Sequence, residues 1–280
     1  MDETQRCSQQ EEIRQGDILS IECDEPSLDF PRLGVVINAD CDLAHKKIDG
    51  TIAFLPLYSF ADYLTRFWIP SFVTSRKNEL ATEIARFCKL DSTSQDDLLR
   101  WLVTAEPDTV SEKLQTTLAL KPKTYEDVSL RMRKLHRCLQ PGAKSLATLA
   151  EFARDEKDEQ TAKRYLKEQI EKAKKNLGDG HFFISDVKGE EDIGFIVRMR
   201  RIYTLDASCC FTGVAQQRAQ TKLGSVSAAR ICRLTPLYQF KVAQLFAHQF
   251  SRIGLPDETT ALGDIAIDDM ATKLMALKKS

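Results

Sequence analysis

Apolar positions follow two patterns along the chain, and the patterns alternate. Between residues 16 and 57, short apolar runs are separated by turn-forming residues. Gly16-Asp17-Ile18-Leu19-Ser20-Ile21 predicts a strand that Asp24-Glu25-Pro26 ends. Gly34-Val35-Val36-Ile37 is a continuous apolar run suited to a buried strand. Thr51-Ile52-Ala53-Phe54-Leu55 predicts a third strand, stopped by Pro56. Residues 1–12 are polar and predict a frayed tail.

Helical spacing takes over after Ser59. Glu79, Ile84, Phe87 and Cys88 fit one helix. Asp96–Leu102 fits another, with Ser94 as its cap. Tyr125–Cys138 follows Thr124 as a cap and carries acids first and bases last, the polarity the helix dipole favours. Pro141-Gly142 breaks it. Leu146, Leu149 and Phe152, then Tyr165, Leu166, Ile170 and Ala173, carry a stripe to Leu177, with Gly178 as a C-cap. Loops are expected at 91–95 and 104–112.

Strands return at Phe182-Phe183-Ile184, at Gly194–Tyr203 and at Arg230–Leu234. In the second of these, Val197 and Met199 alternate with Arg198 and Arg200. Thr235-Pro236 opens a last helix, its apolar face formed by Phe240, Ala243, Phe246, Ala247 and Phe250. Residues 257–280 read as a tail or a short helix over Ile267–Leu277.

Neither group of strands can bury a sheet face alone. The order therefore predicts an α+β fold with one split barrel, residues 1–59 and 178–256. Residues 60–177 are a large helical insertion, and a C-terminal helix closes the barrel segment.

Composition narrows the function classes. The 280 residues are 42% hydrophobic and 29% charged, enough for a packed core. A net charge of −1 excludes a generally basic nucleic-acid binder. The balance is uneven, however. Residues 1–60 hold 12 acidic and 5 basic side chains, whereas 181–256 hold 10 basic and 5 acidic. Arg198, Arg200, Arg201, Arg230 and Arg233 are thus candidates for binding phosphate or an acidic partner, or for balancing the acidic half.

Eight cysteines form no CxxC pair, so neither a zinc knuckle nor a disulfide framework is expected. Residues 1–17 lack the apolar run of a secretory leader, and Asp62 and Arg66 interrupt the apolar stretch 50–73. A reduced, cytoplasmic protein without membrane span, metal or cofactor is the expectation. No Walker loop, GxGxxG, GxSxG or HExxH occurs.

Three local clusters carry chemistry. Asp40-Cys41-Asp42-Leu43-Ala44-His45 could supply a thiolate or metal ligands. No second cluster completes such a site, so the favoured reading is a structural turn, with Asp42 capping a short helix and Cys41 packed beneath it. His181 follows a Gly-rich turn and would be a general base near Cys41 if the chain ends meet. The aromatic segment 54–72, with Trp68 and Phe72 at its end, suits either a partner-binding patch or a hinge that packs the insertion on the barrel.

Four pieces in order resemble the MazF/PemK toxin family, a small SH3-like barrel. They are Gly16-Asp17-Ile18-Leu19, Pro31–Ile37, Ile52–Leu57, and Arg230–Leu234 with the helix over 237–253. The resemblance covers about half of the chain. It implies metal-independent cleavage of single-stranded RNA, with Arg32 as the family's loop arginine and Ser59 as its hydroxyl residue. A guanidinium suits a phosphorane and a hydroxyl can relay a proton. Three features depart from the family: the acidic loop Glu22, Asp24, Glu25, Asp29, Tyr58 beside the hydroxyl position, and an insertion starting at that edge. The resulting expectation is a non-catalytic binding or regulatory subunit of a bacterial toxin–antitoxin or phage-defence system that holds a protein partner. The alternative it leaves is an endoribonuclease, with RNA as a possible partner.

Overall fold

The computed structural model describes residues 2–23, 30–155, 158–221, 226–250, 265, 267, 269 and 270. Most of the expected terminal helix over Ile267–Leu277 and of the acidic loop 22–29 lies outside these residues. Three strands open the chain: β1 (Thr4–Gln5), β2 (Asp17–Glu22) and β3 (Leu33–Val36). A short helix α1 (Asp40–Ala44) leads to the long strand β4 (Thr51–Ser59). The helical block then runs through α2 (Phe60–Tyr63), α3 (Ile69–Cys88), α4 (Ser92–Thr104), α5 (Pro107–Leu118), α6 (Pro122–Leu139), α7 (Leu146–Arg154) and α8 (Glu159–Lys175). Strands β5 (His181–Ile184), β6 (Phe195–Arg198), β7 (Tyr203–Asp206) and β8 (Cys210–Phe211) follow, then α9 (Val214–Gln220), β9 (Ser227–Leu234) and α10 (Pro236–Phe250).

The architecture is α+β. The strands form one curled half-barrel sheet in the order β1-β9-β2-β3-β4-β6-β5. β7 pairs with the first half of β4, and β8 lies parallel to β9. Every other pairing is antiparallel. Both chain ends thus enter one sheet, as the strand order predicts. The two outer strands do not pair with each other but are clasped by side chains. Glu3 accepts backbone hydrogen bonds from Ser185 and Asp186, and the Lys188 amide donates to Thr4 Oγ1 at 3.0 Å.

Both sheet faces are covered. One buries Ile18, Val35, Leu55, Leu57, Phe195 and Val197, joined by Val242 of α10. The other buries Leu19, Val36, Ile52, Phe54 and Leu205. Two-sided burial explains why β3 reads as an unbroken apolar run rather than an alternation. The helices have their own core around Ile84, Leu102, Val128, Met132 and Phe152. Tyr58, Tyr63 and Ile196, with Phe60, Phe67 and Trp68, join it to the sheet. The aromatic segment therefore serves as the packing hinge.

Several local expectations fail for identifiable reasons. Residues 2–12 are not frayed: β1 adds to β9 and Thr4 is fully buried. The run 194–203 breaks into β6 and β7, which take opposite ends of β4. No long loops occur at 91–95 or 104–112, because Asp91 caps α4 by accepting from the Ser94 amide at 2.8 Å, and Pro107 starts α5. Ser94 is thus the donor rather than the cap. Thr124 does not cap α6, which starts at Pro122, and α8 ends at Lys175, before Gly178. On α10, Val242 is buried while Phe240 is 70% exposed and Phe250 45%. The buried stripe is rotated from the expected one because Tyr238, Val242, Leu245 and Phe246 meet the sheet.

Candidate functional site

The register of β3 on β4 pairs Leu33 with Leu57. Arg32 and Ser59 therefore stand at the same end of neighbouring strands, the end at which the helical block leaves the sheet. Neither group is free. Arg32, with its side chain 63% exposed, is ion-paired with Glu190. Ser59 is 8% exposed, and its Oγ accepts from the Asp62 amide at 3.1 Å, capping α2. Tyr58 is buried in the aromatic hinge. A phosphoryl-transfer role for the pair would require both to leave these partners.

The five arginines do not form one basic patch. Arg230 and Arg233 turn inward onto Asp17, which has no exposed surface. Arg233 Nε donates to Asp17 Oδ1 at 2.5 Å, and Arg230 Nη1 to Oδ2 at 3.2 Å. Arg230 also donates to the carbonyls of Ser8, Glu11 and Glu12, and Arg233 reaches Glu11. Residues three apart on a regular strand face opposite sides. Here the register slips between Ile18 and Leu19, placing one extra residue on β9 and bringing both guanidiniums to the same carboxylate. The two are corrected from candidate ligand-binders to a buried structural network. The Glu11 carboxyl is held below its usual range by its bond to Arg233.

The remaining three are dispersed. Arg198 lies over the Phe67 ring, 3.9 Å from its centroid. Arg200 donates to Gln249 at 3.2 Å, and Arg201 sits over Tyr203.

The turn at residues 40–45 is structural in a different way from that expected. Ala39, not Asp42, occupies the cap position of α1, and no side chain caps it. Asp40 instead accepts from the Gln15 amide at 2.8 Å, tying the turn to the start of β2. Cys41 is exposed rather than packed beneath the helix. Among the described residues no His, Cys, Asp and Glu side chains gather as a metal site.

His181 does not meet Cys41. Its ring packs edge-on against Tyr63 at 5.3 Å, and its Nδ1 is buried with no well-formed hydrogen bond among the described residues. Burial, then the charges of Arg198 and Arg200, push its pKa below the ordinary histidine value. The unfolded chain therefore takes the proton more readily. The neutral ring's contribution is intact above pH about 6.5 and is lost as pH falls through that value toward the folded pKa. Thermal melts at about pH 7.5 and 5.5 should show a larger drop for the wild type than for His181→Phe. Equal drops would remove His181 from the pH response.

A sizeable concavity lies in the helical block. A cleft of about 530 Å³ opens between α3 and α8, lined by Trp68, Phe72, Arg76, Glu79, Gln169 and Lys172 among others. Trp68 closes a π-helical turn, Leu64–Trp68, that precedes α3. Its ring stacks on Phe72 with centroids 4.9 Å apart and planes 19° from parallel. Sequence reasoning singles out Trp68 and Phe72 but not Arg76, Gln169 or Lys172. The latter three look like ordinary polar helix positions until α8 is placed opposite α3.

No helix among the described residues is long and apolar enough to cross a membrane. No family model, no curated protein and no solved structure matches the chain.

Proposed function

We propose that the chain is a non-catalytic binding and regulatory subunit of a bacterial toxin–antitoxin or phage-defence system. In this reading its curled sheet is a divergent SH3-like, MazF/PemK-like barrel. The barrel and the inserted helices hold a protein partner in the cytoplasm. One observation carries the reading: both groups of the candidate catalytic pair are already committed, Ser59 to a helix cap and Arg32 to Glu190. A hydroxyl that accepts an amide at a helix start is worth about 1 kcal/mol where it stands. Its release for proton transfer opposes local stability. The exposed apolar side chains Leu237 (61%) and Phe240 (70%) on α10 support a protein rather than a nucleic-acid partner.

The shared position of Arg32 and Ser59 at one barrel end favours the second reading, a metal-independent endoribonuclease. Incubating purified wild type and Arg32→Ala with single-stranded RNA, without added metal, separates the two. The expected result is no cleavage by either protein. Cleavage by wild type that Arg32→Ala abolishes would establish the nuclease and overturn the binding reading. On the first reading, the tagged chain isolated from its own cells carries one stoichiometric protein, and Phe240→Glu reduces its recovery severalfold. Recovery of the chain alone would count against it.

A further inference from the structure

We propose that the cleft between α3 and α8 binds a small planar anion of the nucleoside-monophosphate class. The proposal goes beyond the partner-holding reading and does not rest on it. Its volume, about 530 Å³, falls within the ~300–1,000 Å³ typical of small-molecule sites.

The floor is aromatic and rigid. Trp68 and Phe72 stack on each other, and the fully buried Phe152 supports Phe72 edge-on at 6.0 Å. Both Trp68 and Phe72 are only half-buried, so aromatic surface remains for a base to pack against. The walls are polar and carry surplus positive charge. Arg76 and Lys172 oppose a single acid, Glu79. Glu79 takes Arg76 Nη1 at 2.6 Å, and the Arg76 Nε is buried with no hydrogen-bond partner among the described residues. Lys172 is exposed and makes no ion pair among the described residues.

Gln169 supplies the second pointer. Its side chain is nine-tenths buried, lines the cleft, and has no hydrogen-bond partner among the described residues. Neither amide atom is sealed from solvent, so the group is open to the cleft and can bond whatever enters it. An amide can read the edge of a base, the stacked rings can take its face, and the two cations can take its phosphate. A bare inorganic ion would leave the aromatic floor unused. A neutral ring would leave Lys172 unpaired.

The test uses the full chain. Trp101→Phe leaves Trp68 as the sole tryptophan, so quenching reports on the cleft. AMP is titrated by fluorescence in this variant and by calorimetry in the wild type. The expected result is saturable one-to-one binding, with adenosine and inorganic phosphate each weaker by about tenfold or more. Lys172→Ala, an exposed substitution that leaves the fold intact, is expected to weaken AMP by about tenfold. Gln169→Leu tests the amide and should weaken AMP while leaving phosphate unchanged. Absence of saturation into the millimolar range overturns the proposal. So does AMP affinity matched by phosphate or by adenosine, or unmoved by Lys172→Ala. RNA cleavage and partner recovery are read separately, so failure here leaves those outcomes untouched.

Discussion

Replacing Asp17 with Ala is expected to destabilise the protein by about 3–5 kcal/mol, read as a fall in the urea midpoint with little change in slope. Asp17 is the one acid at the centre of two guanidiniums, and it has no exposed surface. Its Oδ2 also accepts from the Arg14 amide at 2.8 Å. Removing it leaves the Arg230 side chain, 1% exposed, as an uncompensated buried charge. Three carbonyls still solvate that charge, which places the effect toward the lower end of the range. The double variant Asp17→Ala, Arg230→Met should recover part of the loss, because an apolar replacement of both partners removes the unpaired charge. A loss under about 1 kcal/mol for Asp17→Ala would mean that charge pairing does not hold segment 8–14 to β9.

The second large effect is predicted for a glycine. Gly34 sits opposite Pro56, so Phe54 is its diagonal neighbour on the same face of β4. A Cβ built on Gly34 would stand 3.0 Å from Phe54 Cγ and Cε2 and nearer still to Cδ2. Phe54 cannot yield, because it is fully buried and stacked on Tyr203 with centroids 5.8 Å apart. Gly34→Ala is therefore expected to lower stability by about 1–3 kcal/mol through overpacking. Adding Phe54→Leu should make the pair less damaging than the sum of the single changes. Full additivity, or a neutral Gly34→Ala, would contradict the ring-over-glycine account.

These two sites also mark what the chain's pattern discloses and what it hides. Strand 33–36 and the first half of β4 are legible because their apolar residues are consecutive. The expected stop at Pro56 fails, since β4 runs on to Ser59. Pro56 falls in the gap between the β7 ladder (51–54) and the β6 ladder (57–59), where its missing N–H costs no bond. The run 33–36 conceals why position 34 is glycine, since the ring that covers it comes from the next strand. β1 is only two residues long and carries no periodicity; its partner is β9, at the other end of the chain. Arg230 and Arg233 are legible as charge but not as burial. Their inward direction depends on a bulge and on a carboxylate 213 and 216 positions away. The cleft is half visible for the same reason. Trp68 and Phe72 belong to one aromatic stretch, while Gln169 and Lys172 approach them only after the helices between them have folded back.

The seating of β9 between β1 and β2 has a consequence for synthesis. β2, β3 and β4 form a meander that is complete once residue 59 has emerged. The outer edge of β2 then waits for residues 227–233, its ladder partners. At ~5–20 residues per second, that interval is roughly 10–40 s on the ribosome. During it the growing chain carries an open, apolar strand edge while the helical block, whose contacts are local, can already fold. A truncated chain lacking β9 would present that edge permanently, as a template for edge-to-edge association.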